Sequence, residues 1–307
     1  MEPSFGYNPN PSPPPEPPPA PAPVQASDLG LLTGLVGLWG GKGFNAIWRP
    51  NPLVSGQDRF LELNVTGETL EFEVIPGGGI PNRGLLQSGI LMAGLRYLQQ
   101  ITDANVAPPN NGLHLEPGLW LNVPGTTNPA VAASVARLAS IPHGTSILAQ
   151  GLASQASGGP TIPPVSLNPV SIQSPSASSP FPEQNLATET VFRTTELTGI
   201  TQSMVDDPNS LLLAALQGQT IVATITLQVS TSDLPVPGGG IANTAFLAGG
   251  LSGPNAVTAR VSSTFWLETV QGSPNFLQLQ YSQTVLLNFN GLSWPHVTVA
   301  TLRQSSP

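Results

Sequence analysis

The sequence predicts a mainly β protein, built of antiparallel strands in a sheet or barrel, with a long Pro/Ser-rich insertion and one or two short helices. Three observations carry this. Apolar residues alternate with polar ones at period two in several runs, as strands with one buried face require. Only one run carries clear helix start and stop signals. Prolines, 35 in 307 residues, are dense enough to interrupt regular structure in two long stretches.

In chain order, residues 1–27 form a proline-rich arm whose centre, 8–23, reads NPNPSPPPEPPPAPAP. Such composition favours extended polyproline II and builds no core of its own. It is either a solvated tail or an arm laid across a neighbouring subunit. The apolar run LGLLTGLVGLWGG follows, too short and glycine-rich to span a bilayer. TLEFEVI sets Leu70, Phe72 and Val74 against Thr69, Glu71 and Glu73. SGILMAGLRYLQQITDA fits a helix or a long strand, with Ile90, Leu91, Gly94, Leu95 and Leu98 at three- and four-residue spacings.

Residues near 154–185 are rich in Ser, Pro and Gly and read as a loop inserted into a single domain spanning 28–307. DDPNSLLLAALQG has the marks of a helix: Asp206 and Asp207 as capping residues, Pro208 in the first turn, Gly218 at the stop. TIVATITLQVS then places Ile221, Ala223, Ile225, Leu227 and Val229 on one face. FLQLQYSQTVLL does the same with Leu277, Leu279, Tyr281, Val285 and Leu287, leaving Gln278, Gln280, Ser282 and Thr284 for a wet face. Val297 to Leu302 form a last strand, with Pro295 closing the loop before it. The repeated word PGGGI (76–80 and 237–241) reads as tight turns, since neither copy opens a phosphate-binding βαβ unit.

Composition excludes several functions. Charged residues are 8% of the chain, against roughly 25% in an ordinary soluble protein. The net charge is −8 and the basic residues, Lys42 and eight arginines, are scattered, so no stripe exists to neutralise phosphates and no nucleic acid is expected. Without cysteine, there are no disulfides, zinc-thiolate sites, thiol nucleophiles or thiolate-ligated haem. The opening MEPSFGYNPN lacks a basic region followed by an apolar stretch. The expectation is therefore a cytoplasmic protein with no membrane partner.

Chemistry must then come from other groups. No G-x-S-x-G supports a serine hydrolase, and no pair of carboxylates suggests glycosidase work. The histidines are His114, two residues from Glu116, His143 in a Pro-His-Gly turn signal, and His296 behind Trp294 and Pro295. Their spacing alone does not make a metal site.

Three stretches together resemble the nitrobindin family, haem-binding β-barrels related to lipocalins. LTGLVGLWGGKG is similar to that family's opening pattern through Leu35, Gly37, Trp39, Gly41 and Gly43. HLEPGLW resembles its His-x-Glu-x-Gly motif through His114, Glu116, Gly118 and Trp120, and LQYSQTVLLNFNGLSWPHVTVATLR resembles its closing Pro-His and final strand. The likeness covers about half the chain. It departs where the family has Tyr-Pro-Thr and this chain has FNAIWRP, and in the chain's greater length.

The resemblance implies a lipocalin-like antiparallel barrel holding haem b, with His296 as the iron ligand and His114 and Trp39 among the cofactor-binding residues. It also implies a small diatomic or oxidant ligand: nitric oxide, or peroxynitrite or peroxide converted as by a peroxynitrite isomerase or peroxidase. Two other readings stand beside it. One is a haem-free binder of an apolar small molecule; the other is a structural or assembly protein with a neutral surface. A homo-oligomer is expected from the weakly charged surface and the proline arm.

Overall fold

The computed structural model describes residues 26–51, 58–77, 79–82, 90–127, 130–141, 144–174, 178–232, 238–244 and 256–305. The proline-rich stretch 8–23 and His143 lie outside them. The strands are β1 (Gly37–Arg49), β2 (Phe60–Val74), β3 (Ile80–Asn82), β4 (Ile90–Asp103), β5 (Gly112–Val123), β6 (Thr126–Thr127), β7 (Ala130–Val131) and β8 (Ser134–Ile141). They continue with β9 (Thr145–Ser157), β10 (Val170–Ser171), β11 (Ile221–Ser230), β12 (Gly240–Asn243), β13 (Val257–Val270), β14 (Phe276–Phe289) and β15 (Leu292–Gln304).

Ten of these close a barrel. The order is β1-β2-β4-β5-β8-β9-β11-β13-β14-β15, every pair antiparallel, and β15 returns to β1 from Trp39↔Gln304 to Ile47↔His296. The expected lipocalin-like barrel is thus observed, and closure leaves its sheet no open edge along the main strands. Within the ambiguous segment 88–104, Ile90–Asp103 is strand β4. Its alternate residues Leu95, Tyr97 and Ile101 face inward and are buried, whereas Leu98 is exposed, and period two overrides the accidental helical spacing.

Closure depends on glycine in β1. A Cβ at Gly41 would stand 2.2 Å from the Thr301 carbonyl oxygen, and one at Gly43 would stand 2.2 Å from that of Val299. Side chains there would force β1 and β15 apart. The Asn290–Gly291 turn, both residues at positive φ, joins β14 to β15 with the twist that a two-residue hairpin needs.

One end of the barrel is plugged. Two 3₁₀ turns within Ala26–Leu35, broken at Gly30 (φ 54°), bury Leu29, Leu32 and Leu35. Trp39 Nε1 donates to the Leu35 carbonyl at 2.7 Å, and Asn122 Nδ2 donates to that of Asp28 at 2.8 Å. The first satisfies an indole N–H that would otherwise be stranded beneath the plug.

The insertion forms an outer layer. Its strand-flanking boundary differs from expectation: 154–157 belong to β9, because Ser154 to Ser157 pair with Thr226 to Ala223 of β11. The remainder contacts the sheet through the short pairing of β10 with β15, and beyond it 192–194 run along β2. Helices α1 (Gln202–Asp206) and α2 (Ser210–Ala215) follow it, before β11. Trp48, on the outer side of β1, donates to the Leu167 carbonyl at 2.9 Å and packs against Phe181.

This layer corrects two sequence expectations. The face of β14 carrying Gln278 and Gln280 is covered, and both residues are buried. Gln280 Nε2 donates to the Leu212 carbonyl of α2 at 3.0 Å, and Gln278 Nε2 donates to Glu268 at 2.7 Å. Amide side chains there serve as hydrogen-bonding packing rather than as a solvated surface. Asp206 and Asp207 do not cap α2, whose N-cap is Asn209. Asp207 Oδ1 instead accepts from the Val165 and Asn209 amides at 3.0 Å. Among the described residues no helix is long and apolar enough to cross a membrane.

Candidate functional site at the barrel end opposite the plug

Pairing register decides which side chains face the lumen. Tyr281 reaches Glu68 with β15 and β1 lying between their strands, so these two are inside, and every second residue from them is inside as well. On β15 this puts Ala300, Thr298 and His296 on the inner face; on β1, Gly43, Asn45 and Ile47; on β5, Gly118, Glu116 and His114.

His296 and His114 therefore stand on the inner wall at the same end of the barrel, opposite the plug. Inward-facing Ile47, Ile101, Ile141, Ile147, Val261 and Val285 lie toward this end, together with the polar Glu62 and Thr145. Trp39 is not brought to this end. It pairs with Gln304, eight residues along β15 from His296, or about 26 Å at strand rise. It packs under the plug instead. Pro295 also differs from expectation: it lies within β15, opposite Leu286, at the point where pairing with β1 stops. A proline fits there because the neighbouring ladder has ended.

His296 is tied into a chain of hydrogen bonds. Its Nε2 lies 2.7 Å from Asn45 Oδ1, which also accepts from Thr298 Oγ1 at 3.0 Å. Asn45 Nδ2 donates to Asn64 Oδ1 at 3.1 Å, and Asn64 Nδ2 donates to Asp103 Oδ2 at 2.9 Å. The sequence reading missed Asn45, Asn64 and Asp103. Their signal was available only through register, as the inward positions on β1, β2 and β4 nearest His296.

Below this mouth the lumen holds a buried polar network. Arg137 donates to Glu116 Oε1, to Tyr97 Oη at 2.9 Å, to Ser263 Oγ at 3.1 Å and to Gln283 Oε1 at 2.6 Å. Tyr97 Oη also donates to Glu116, and His114 Nε2 lies 3.2 Å from Glu116 Oε2. Burial pushes the Glu116 carboxyl up, but the Arg137 guanidinium, His114 and Tyr97 together hold it down at about 2. Burial likewise depresses Arg137, and Glu116 more than restores it. The pair stays charged in the barrel centre.

Glu68 behaves oppositely. Burial lifts its carboxyl to about 7, despite bonds donated by Tyr281 Oη at 2.7 Å and Gln99 Nε2 at 2.6 Å. Among the described residues no cation bonds to it directly, and burial favours the neutral form. Among the described residues no group of three or more His, Asp or Glu gathers as a metal site, whereas a haem iron needs one imidazole.

No family model matches the chain, and no curated protein matches it. Among solved structures it is similar to Rv2717c from M. tuberculosis at 15% identity and a TM-score of 0.39, over 91% of this chain and 98% of that one. A likeness of that size leaves the function to the residues themselves.

Proposed function

We propose that this protein is a haem-binding barrel of nitrobindin type, with His296 as the protein ligand of the iron and the barrel end opposite the plug as its pocket. The observation that supports it most is the placement of His296. An inward imidazole at the barrel end opposite the plug, with inward isoleucine and valine nearby and His114 at the same end, suits a flat apolar macrocycle held by one protein ligand.

The donor set fits haem b: one imidazole from β15, with no thiolate in the chain to compete. The haem, when bound, supplies an iron with an open position for nitric oxide, peroxynitrite or peroxide. The chain's own contribution is to orient His296 through Asn45, to supply apolar surface from inward isoleucine and valine, and to place His114 and the Glu116 carboxylate at the same end. Exposed Leu98, Leu115, Leu148 and Leu152 on the outer barrel wall support the homo-oligomer.

One observation favours the haem-free reading, in which the mouth holds an apolar small molecule. His296 Nε2 is already engaged with Asn45, and ligation through that nitrogen exchanges this bond for the iron. Adding haem to the purified protein separates the two readings. Saturable uptake near one equivalent with a Soret band, strongly weakened in His296→Ala, supports haem. Equal affinity of the wild type and His296→Ala for an environment-sensitive apolar dye, with no Soret band in either, supports the alternative.

A further inference from the structure

We propose that Asp103 is a positioning residue that fixes which nitrogen of His296 carries the proton, acting through Asn64 and Asn45 across four strands. The four side chains face the lumen at consecutive places around the mouth, on β4, β2, β1 and β15.

Asp103 starts the chain because a carboxylate only accepts hydrogen bonds. Its Oδ1 takes the Asn105 amide at 2.8 Å, and its Oδ2 faces Asn64. Asn64 must therefore turn its NH₂ toward Asp103 and its oxygen toward Asn45. Asn45 must then turn its own NH₂ toward Asn64, which leaves its oxygen toward His296. At 2.7 Å from that oxygen, Nε2 carries a proton, since two bare acceptors at this distance repel.

Thr298 does not oppose this order. Its hydroxyl donates to the same Asn45 oxygen at 3.0 Å and can rotate to accept if the amide reverses. Asn45, Asn64 and Thr298 are all largely buried, so water does not readily replace a missing link. The neutral His296 ring is consequently the Nε2–H tautomer, with its lone pair on Nδ1. Every bond in the chain points the same way, toward the carboxylate.

The inference concerns the haem-free protein, so its test stands or falls separately from the haem reading. Long-range ¹H–¹⁵N NMR of His296, at a pH where imidazole is neutral, reads the tautomer directly. Wild type should show Nε2–H. In Asp103→Asn the side chain can keep its oxygen on the Asn105 amide only by presenting NH₂ to Asn64. That reverses both amides and should move the population toward Nδ1–H.

Asp103 is at the half-exposed end of β4, so this isosteric change leaves the core alone. Adding Asn45→Asp to Asp103→Asn puts an acceptor beside His296 directly and should restore Nε2–H. An Nδ1–H ring in wild type, or an Nε2–H ring unmoved in folded Asp103→Asn, overturns the proposal. Failure of the Asn45→Asp addition to restore Nε2–H also overturns it.

Discussion

Tyr281 on β14 and Glu68 on β2 meet across the lumen, hydroxyl to carboxylate at 2.7 Å, although β15 and β1 separate their strands in the sheet. The middle of the barrel is thus a packed polar core. That core also makes the strongest predictions about stability.

Glu68 should make the protein less stable as pH rises from 4.5 to 7. Its folded-state value, about 7, exceeds the ordinary 4.5, so its contribution is fully present below pH 4.5 and lost as pH rises through 7. The shift corresponds to roughly 3 kcal/mol at full effect. Urea midpoints measured across this range should fall in wild type. In Glu68→Gln they should fall less, and the variant should be the more stable one above pH 7. The slope that remains belongs to Glu268, which burial also raises to about 7.

Glu116 should act in the opposite direction. Its value is held at about 2, so the stability it supplies is present above pH 4.5 and is lost as pH falls through 2. Acid unfolding followed by tryptophan fluorescence should begin at higher pH once Arg137 is removed.

Arg137→Met should be among the most damaging single changes, costing about 3–5 kcal/mol, because it strands the Glu116 charge inside the barrel. The double variant Arg137→Met/Glu116→Gln should recover part of that loss. Urea denaturation of the four proteins gives the coupling directly, and additive effects would mean that the pair does not act as a unit.

Gly43→Ala should weaken closure of the barrel by about 2 kcal/mol or more, since its Cβ would meet the Val299 carbonyl and Thr66 Oγ1 at once. Hydrogen exchange should quicken first along the β1–β15 ladder. The same substitution at Gly67, where a Cβ would meet only Thr102 Oγ1 at 3.3 Å, should be much milder.

Much of the barrel was legible in the sequence, for a simple reason. Leu70 and Phe72, or Leu277, Leu279 and Tyr281, repeat at a period only strands have, and each faces the lumen as that period requires. The strand end at Ser157 was obscured because Ser, Gln and Ala there have no hydrophobic alternation of their own; pairing with β11 holds them. Burial of Gln278 and Gln280 was hidden because the covering segment is remote in sequence. For the site, His296 and His114 could be chosen by residue type, but their shared end of the barrel comes only from register. Asn45, Asn64 and Asp103 carry no motif at all.

The central claim is that His296 presents its imidazole to an iron at the barrel end opposite the plug. Haem titration of His296→Gly, with and without added imidazole, tests it most directly, because free imidazole can enter the space that the side chain leaves. The account predicts that wild type binds about one haem with a histidine-type Soret band, that the variant alone retains haem poorly, and that imidazole restores the band. A variant whose Soret band matches wild type without imidazole, or a wild type that takes up no haem, would contradict it.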